Sequence, residues 1–151
     1  MNSAKHPIKT TLSLLLMLGA TGTWAADIKP SAADIQAHNK AITDAIASVA
    51  KVKDAVADYR LHHEAFPASN AEAGIVPPAA FASAALKSIE VGKDGMIEER
   101  LTADSGVDNG IIRFVPAMSP QMDLNQVDWT CTSPSYSNIS DLAPCTYGKN
   151  P

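Results

Sequence analysis

Between Pro30 and Pro67 the chain runs through SAADIQAHNKAITDAIASVAKVKDAVADYRLHHEAF, residues 31–66, without one Gly or Pro. No other stretch restricts the fold as much. Ser31 followed by Asp34 makes an acidic variant of the capping box, so a helix has a place to start. The apolar positions Ile35, Ile42, Ala45, Ile46, Val49, Val52, Val56 and Tyr59 recur at steps of three, four and seven and line one helical face. Pro67 disfavours helical backbone at the residue before it and marks the end. A helix of about 34 residues is roughly 50 Å long at 1.5 Å per residue. A small domain cannot cover that length, so one end must protrude, bend or meet a partner. The stripe is dense from Val49 to Tyr59 and thins around His38 and Asn39. The C-terminal half is therefore expected to pack on the domain, with the N-terminal half largely solvated. Two shorter helices with a break between them are the alternative.

After Pro67 the period changes. PASNAEAGIVPPAAFASAA is an irregular connector rich in Ala and Pro, with one helical turn expected near Ala79–Ala85. Four strand-like runs follow, LKSIEV (86–91), MIEERLTA (96–103), IIRFVPA (111–117) and QVDWTCT (126–132), separated by turn residues. GKDG (92–95) reads as a hairpin turn, and DSGVDNG (104–110) as a longer one with an Asn-Gly pair. In the last run Val127, Trp129 and Cys131 face one way and Asp128, Thr130 and Thr132 the other. The second run is less regular, because Glu99 falls between Ile97 and Leu101 on the apolar side. Four short strands with short turns make an antiparallel meander, whose apolar face buries the helix stripe. The expected class is α+β.

Residues 1–25 are set apart from this domain. Lys5, His6 and Lys9 form a basic start, LSLLLMLGA (12–20) is a short apolar run, and TGTWA (21–25) ends in small residues. That is the pattern of a secretory signal peptide cleaved after Ala25. A retained anchor is the competing reading, but a span needs about 20 apolar residues and Thr21, Gly22 and Thr23 interrupt too early. No cysteine follows the apolar run, so a lipid anchor is not expected. Cleavage would take Lys5 and Lys9 and no acid, leaving 126 residues with 10 Lys and Arg against 16 Asp and Glu, a net charge of −6. An acidic domain without a basic cluster is a poor binder of nucleic acid, which needs Lys and Arg on one face. Export also makes the surroundings oxidising, so Cys131 and Cys145 read as one disulfide.

Chemistry has little to stand on. His62, His63 and Glu64 end the helix, but adjacent His residues do not share a helix face and no HExxH spacing exists. Cations at a helix C-terminus already meet the macrodipole favourably. Asp34 and His38 are one turn apart and read as a solvated pair. Asp104, Asp108 and Asn109 offer oxygens, yet the EF-hand pattern is missing and turn chemistry accounts for them. No Ser-His-Asp set and no Gly-rich phosphate loop is present. No catalytic residue, metal or cofactor is expected. NIS (138–140) fits a glycosylation sequon and is given no weight.

The stretch between the cysteines has two readings. Closing the 15-residue loop restricts the unfolded chain, worth about 3 kcal/mol in the entropic account. The same closure holds Ser133, Ser135, Tyr136, Ser137, Asn138 and Asp141 in few conformations, and preorganisation reduces the entropy lost on binding. An exposed Tyr among small polar residues is the kind of surface that recognises a sugar or a protein.

The order of these features resembles the globular head of a type IV pilin. YRLHHEAFPASNAEAGI (59–75) is similar to that family's helix end, aromatic-Pro pair and approach to the connector. SIEVGKDGMIEERL (88–101) is similar to its first hairpin, and IIRFVPA to its strand ending in Pro. VDWTCT with LAPC is similar to its Trp-x-Cys strand closing on a Pro-containing segment and a second Cys. The likeness covers about residues 31–147. It departs at the N-terminus, where pilins carry a short leader, a Gly cleavage point, a Phe or Met, a Glu five positions into the mature chain and an apolar half-helix. Here Gly19 is followed by ATGTWAAD. The expectation is a pilin-like head in residues 26–151, exported to the periplasm, cell surface or pilus and without a membrane span after cleavage.

The resemblance implies a non-enzymatic role in adhesion or as an accessory to pilus assembly, with pilus subunits or assembly proteins as partners. The alternative is a free-standing module that recognises a glycan or surface ligand through the 131–145 loop. In that case substitutions at Tyr136 and Asp141 are expected to abolish binding, and substitutions near Asn39 to leave it.

Overall fold

A computed structural model describes residues 29–120 and 126–148 of the chain. The stretch read as a signal peptide, residues 1–25, lies outside them. The helix begins where the capping residues place it. Ser31 Oγ accepts from the Asp34 amide at 3.2 Å, and the Asp34 carboxylate accepts from the Ser31 amide at 2.9 Å. These bonds satisfy donors that a helix start leaves free.

Helical backbone then runs as α1 (Ala32–Ser48) and α2 (Ala50–His62), with the single residue Val49 between them. Val49 keeps right-handed helical angles, φ −73° and ψ −15°, so the axis continues through the interruption. Its neighbour supplies a cause. Ser48 Oγ donates to the Ala45 carbonyl at 2.7 Å, and a serine bonding back onto its own helix competes with the backbone ladder. The long helix and the break expected as its alternative are thus both present in part.

Burial follows the sequence stripe. Ile42, Ala45, Val49, Val52 and Val56 are buried, whereas residues 32–37 are exposed and Ile35 retains 46% of its surface. Residues 32–37 are solvated as expected, but packing begins earlier than expected, since Ala41, Ile42 and Ala45 in the first half are already buried. The helix stops at His62, a few residues short of the expected end. The Phe66–Pro67 pair beyond it packs on the first hairpin, where the Gly95 amide donates to the Pro67 carbonyl at 2.9 Å. Gly95 has φ +75°, and a Cβ there would lie 2.9 Å from Phe66 Cβ, so both conformation and space require glycine.

The four expected strands form as β1 (Leu86–Val91), β2 (Ile97–Leu101), β3 (Ile111–Met118) and β4 (Val127–Ser133), paired in order as an antiparallel meander. A fifth, β5 (Cys145–Tyr147), was not expected. It pairs parallel to β4 with Cys131 opposite Cys145, giving the order β1-β2-β3-β4-β5. A parallel neighbour needs a crossover rather than a hairpin, and residues 134–144 supply it. The connector's helical turn is a 3₁₀ turn at Pro78–Phe81.

One sheet face carries Leu86, Ile89, Val91, Ile97, Leu101, Ile112, Phe114 and Cys131 into a core shared with the helix residues. A register shift between Leu86 and Ser88 lets Leu86 and Ile89 both point inward despite their odd spacing. Each large aliphatic side chain buried this way contributes roughly 1.5–3 kcal/mol relative to exposure. On the other face Arg113 Nε donates to Glu98 Oε2 at 3.0 Å. No helix among the described residues is long and apolar enough to cross a membrane.

Candidate functional site

The disulfide forms between Cys131 and Cys145, with Cα atoms 4.5 Å apart. The residues between them divide into those that build the loop and those that face outward. Ser133 belongs to the builders. It is fully buried, donates to the Ile111 carbonyl at 2.6 Å, and accepts from the amides of Ser135 and Tyr136 at 3.1 and 3.2 Å. Ser135 Oγ accepts from the Ile111 amide at 3.0 Å, so Ser133 at the end of β4 and Ser135 just beyond it together bond the start of β3 through their side chains. Ile139, wholly buried at the start of a 3₁₀ turn, anchors the middle of the loop in the core.

Tyr136 is not the exposed side chain that its polar neighbours suggest. Only 3% of it is exposed. Its hydroxyl lies 2.6 Å from Ser105 Oγ in the β2–β3 turn, and burial raises its pKa above the ordinary tyrosine value. The ring lies over Gly110, where a Cβ would fall 1.8 Å from the phenol oxygen. Tyr136 is therefore a strut between the loop and the turn, and the expectation that it is exposed is corrected.

Ser137 and Asn138 face outward beside the first part of α1. Asn138 Nδ2 donates to Asn39 Oδ1 at 3.1 Å, joining residues 99 apart in sequence. Between the helix, the turn and the loop lies a hollow of about 270 Å³. That is just below the usual 300–1,000 Å³ of small-molecule pockets. Ser135, Tyr136, Ser137 and Asn138 border it from the loop, His38 and Asn39 from the helix, and Val107 from the turn. No Asp, Glu, Lys or Arg borders it. Its lining is amides, hydroxyls and one imidazole beside aliphatic Ile35 and Val107, both partly exposed. Such a surface offers hydrogen bonds without a carboxylate, ammonium or guanidinium group and has room for one small ring or the end of a longer molecule.

Asp141 is exposed but does not border the hollow. Asn39, expected to be neutral for recognition, does. The helix and turn contributions were missed because each lies far along the chain from the loop. The one signal for them was the thinning of the apolar stripe at His38 and Asn39.

The other candidates resolve into local structure. His63 stacks on Tyr59 with ring centres 4.0 Å apart, and His62 Nδ1 lies 2.9 Å from the Asp58 carbonyl. Lys87 Nζ donates to Asn109 Oδ1 at 3.0 Å and pairs with Asp108. Among the described residues no group of three or more His, Cys, Asp or Glu could hold a metal ion.

With this geometry in place, the similarities are specific. A family model described as pilin, a bacterial filament protein, matches residues 40–146. The chain is 29% identical over 126 residues to a type IV major pilin protein of Neisseria gonorrhoeae, covering 83% of this chain and 74% of that protein. It is 28% identical over 125 residues to a fimbrial protein of Neisseria meningitidis serogroup B, covering 83% and 72% of the two chains. The matched span starts within α1 and ends within β5, so it contains the meander and both cysteines.

Proposed function

Because the chain belongs to the pilin family of bacterial filament proteins, we propose that it is an exported component of a type IV pilus system, acting in cell adhesion or as an accessory to pilus assembly. The observation that supports this reading is the extent of the likeness. It spans helix, meander and disulfide together, residues 40–146, and not one element alone. In this reading residues 1–25 direct export, the domain works in the periplasm or at the cell surface, and its task is structural. The exposed start of α1, residues 32–37, is the surface offered to pilus subunits or assembly proteins. The outward-facing Ser137 and Asn138 of the loop between the cysteines lie beside it. Co-purification of the exported domain with pilus subunits tests the reading. Enrichment no greater than that of an unrelated acidic exported protein would remove its support.

A second reading has its own observation. Four of the six loop residues expected to recognise a ligand border one hollow that no Asp, Glu, Lys or Arg lines. This supports a neutral ligand such as a glycan end, held by Asn39, Ser137 and Asn138. Asn138→Ala and Asn39→Ala would then weaken binding together, while Asp141→Ala would leave it. Equal loss in all three variants, or in none, would count against the hollow.

A further inference from the structure

Glu99 is the residue that neither function uses and that the core should not contain. It is wholly buried on the helix-facing side of β2, and its Oε2 has no hydrogen-bond partner. It lies beneath the interruption of the helix: Ser48, the residue before Val49, is within hydrogen-bond reach of Glu99 Oε1 at 3.4 Å. We propose that the interruption at Val49 and the buried Glu99 carboxyl beneath it form a proton-operated hinge, closed while Glu99 is a neutral acid and opening with release of its proton.

The geometry supplies the two states. Ser48 Oγ has one hydrogen and two acceptors, the Ala45 carbonyl at 2.7 Å and Glu99 Oε1 at 3.4 Å. When Glu99 is neutral, its own O–H can supply the bond to Ser48 Oγ. The serine hydrogen then stays on Ala45, and the helix keeps its interruption at Val49. A carboxylate has no hydrogen to give and needs donors. Ser48 can offer its one hydrogen only by leaving Ala45, and Oε2 has no partner, so a carboxylate is short of donors and is favoured by water that enters when the helix parts from β2 at the interruption. The remaining elements packed against Glu99 offer one charged group. β1 and β3 place Ile89 and Ile112 opposite it in the ladder. From α2, Lys53 acts on it electrostatically, but the Lys53 ammonium sits 4.0 Å from the Phe114 ring centre and 5.4 Å from that of Trp129.

The direction of titration agrees with the geometry. Burial, opposed by the Ser48 bond and by Lys53, raises the Glu99 pKa to about 8 from 4.5. An open form that wets Glu99 releases its proton at ordinary carboxyl pH, so opening becomes easier as pH rises from 4.5 to about 8 and then levels. Lys53 is itself partly desolvated, which lowers its pKa. Its titration therefore favours the closed form only toward the alkaline end, as the pH approaches the ordinary lysine value.

Hydrogen exchange on the purified protein, read as protection factors with the intrinsic pH effect divided out, tests the hinge. Amides from Ala45 to Lys53 are expected to exchange ahead of those in β3. Their protection is expected to fall by about tenfold per pH unit through that window, as release of one proton requires. Glu99→Gln should remove the slope. Protection that is independent of pH, a slope that persists in Glu99→Gln, or helix amides exchanging only together with β3 would each overturn the proposal. Should Glu99→Gln not fold, the wild-type Glu99 carboxyl can be followed by carbon NMR. A midpoint below about 6 overturns the hinge; a raised midpoint supports it only if protection of the wild-type Ala45–Lys53 amides falls over the same pH range.

Discussion

The hydroxyls of Tyr136 and Ser105 lie 2.6 Å apart, joining the disulfide loop to the β2–β3 turn across 31 residues of sequence. Through this contact the loop is braced against the sheet independently of the disulfide. Ser105 has further acceptors in the carbonyls of Thr102 at 2.7 Å and Val107 at 3.1 Å, so the contact belongs to a local network.

Tyr136→Phe should therefore be mild. Ser105 keeps acceptors for its hydrogen, and the loss is that of one ordinary hydrogen bond, about 1 kcal/mol. Gly110→Ala should be worse, because its methyl would fall on the phenol oxygen, and overpacking of this kind costs roughly 1–3 kcal/mol. The ring carbon Cζ would still be only 2.5 Å away after the hydroxyl is removed, so Tyr136→Phe should rescue Gly110→Ala only in part. Thermal melting of the two single variants and the double variant checks the order. A Tyr136→Phe loss larger than that of Gly110→Ala would mean that the hydroxyl, not the packing, carries the brace.

Glu99 makes stability depend on pH in a stated direction. Its pKa is higher in the fold, about 8, than in the unfolded chain, where 4.5 is ordinary. Between these values the native state holds a proton that the unfolded state has lost, so stability falls as pH rises. The fall amounts to about 3 kcal/mol by pH 7 and levels off above pH 8. Glu99→Leu, similar in volume and without a charge to desolvate, should stabilise the domain at pH 7 and do so more at pH 9 than at pH 5. Denaturant midpoints at the three pH values decide the matter. A leucine variant less stable than wild type at pH 9 would show that Glu99 is held by favourable partners.

How far the sequence reveals this fold depends on whether a residue's partners lie nearby. The helix and the meander were legible because burial there recurs with a period, and Glu99 was visible as a break in that period. β5 was not, since Cys145–Tyr147 is too short to alternate and pairs with β4 only through the crossover that the disulfide closes. Tyr136 was read as exposed because its neighbours are polar, and in a loop the neighbours of a residue say little about its own burial. The hollow was half legible. Its loop side lies between the cysteines, while Asn39 and Val107 arrive from other elements and carry no local mark of it.

Asn70 gives the edge of the sheet a partner made from a side chain. Its Nδ2 donates to the carbonyls of Val76 and Ile89 at 2.9 and 3.0 Å, and its Oδ1 accepts from the Val91 amide. Asn70→Ala leaves groups of β1 without these bonds in a buried setting, where each unpaired group costs about 1–3 kcal/mol. Asn70→Asp keeps the acceptor but sets a carboxylate against two carbonyls. It should be as damaging as alanine at neutral pH and recover in part at acidic pH, when the acid can donate. Melting curves at neutral and acidic pH test the asymmetry; an aspartate variant that behaves like alanine at every pH would contradict it.

Reduction of the disulfide should lower stability without erasing the loop. Opening the 15-residue ring returns entropy to the unfolded chain, worth about 3 kcal/mol in the chain-entropy account. For a domain of this size that amounts to a melting shift on the order of 10 °C. The segment from Ser133 to Ile139 has supports of its own, in the Ser133–Ile111 bond, the Tyr136–Ser105 contact and the buried Ile139 side chain. β5 has little besides β4 and the bridge, since Thr146 and Tyr147 are exposed. Hydrogen exchange on the Cys131→Ser, Cys145→Ser double variant should therefore show β5 and the residues just before it losing protection, while the amides of Ser135 and Tyr136 stay protected. The hollow beside Asn39 would then outlast the bridge. Loss of protection throughout residues 133–147 would instead make the disulfide the sole support of the loop, and with it of the surface that borders the helix.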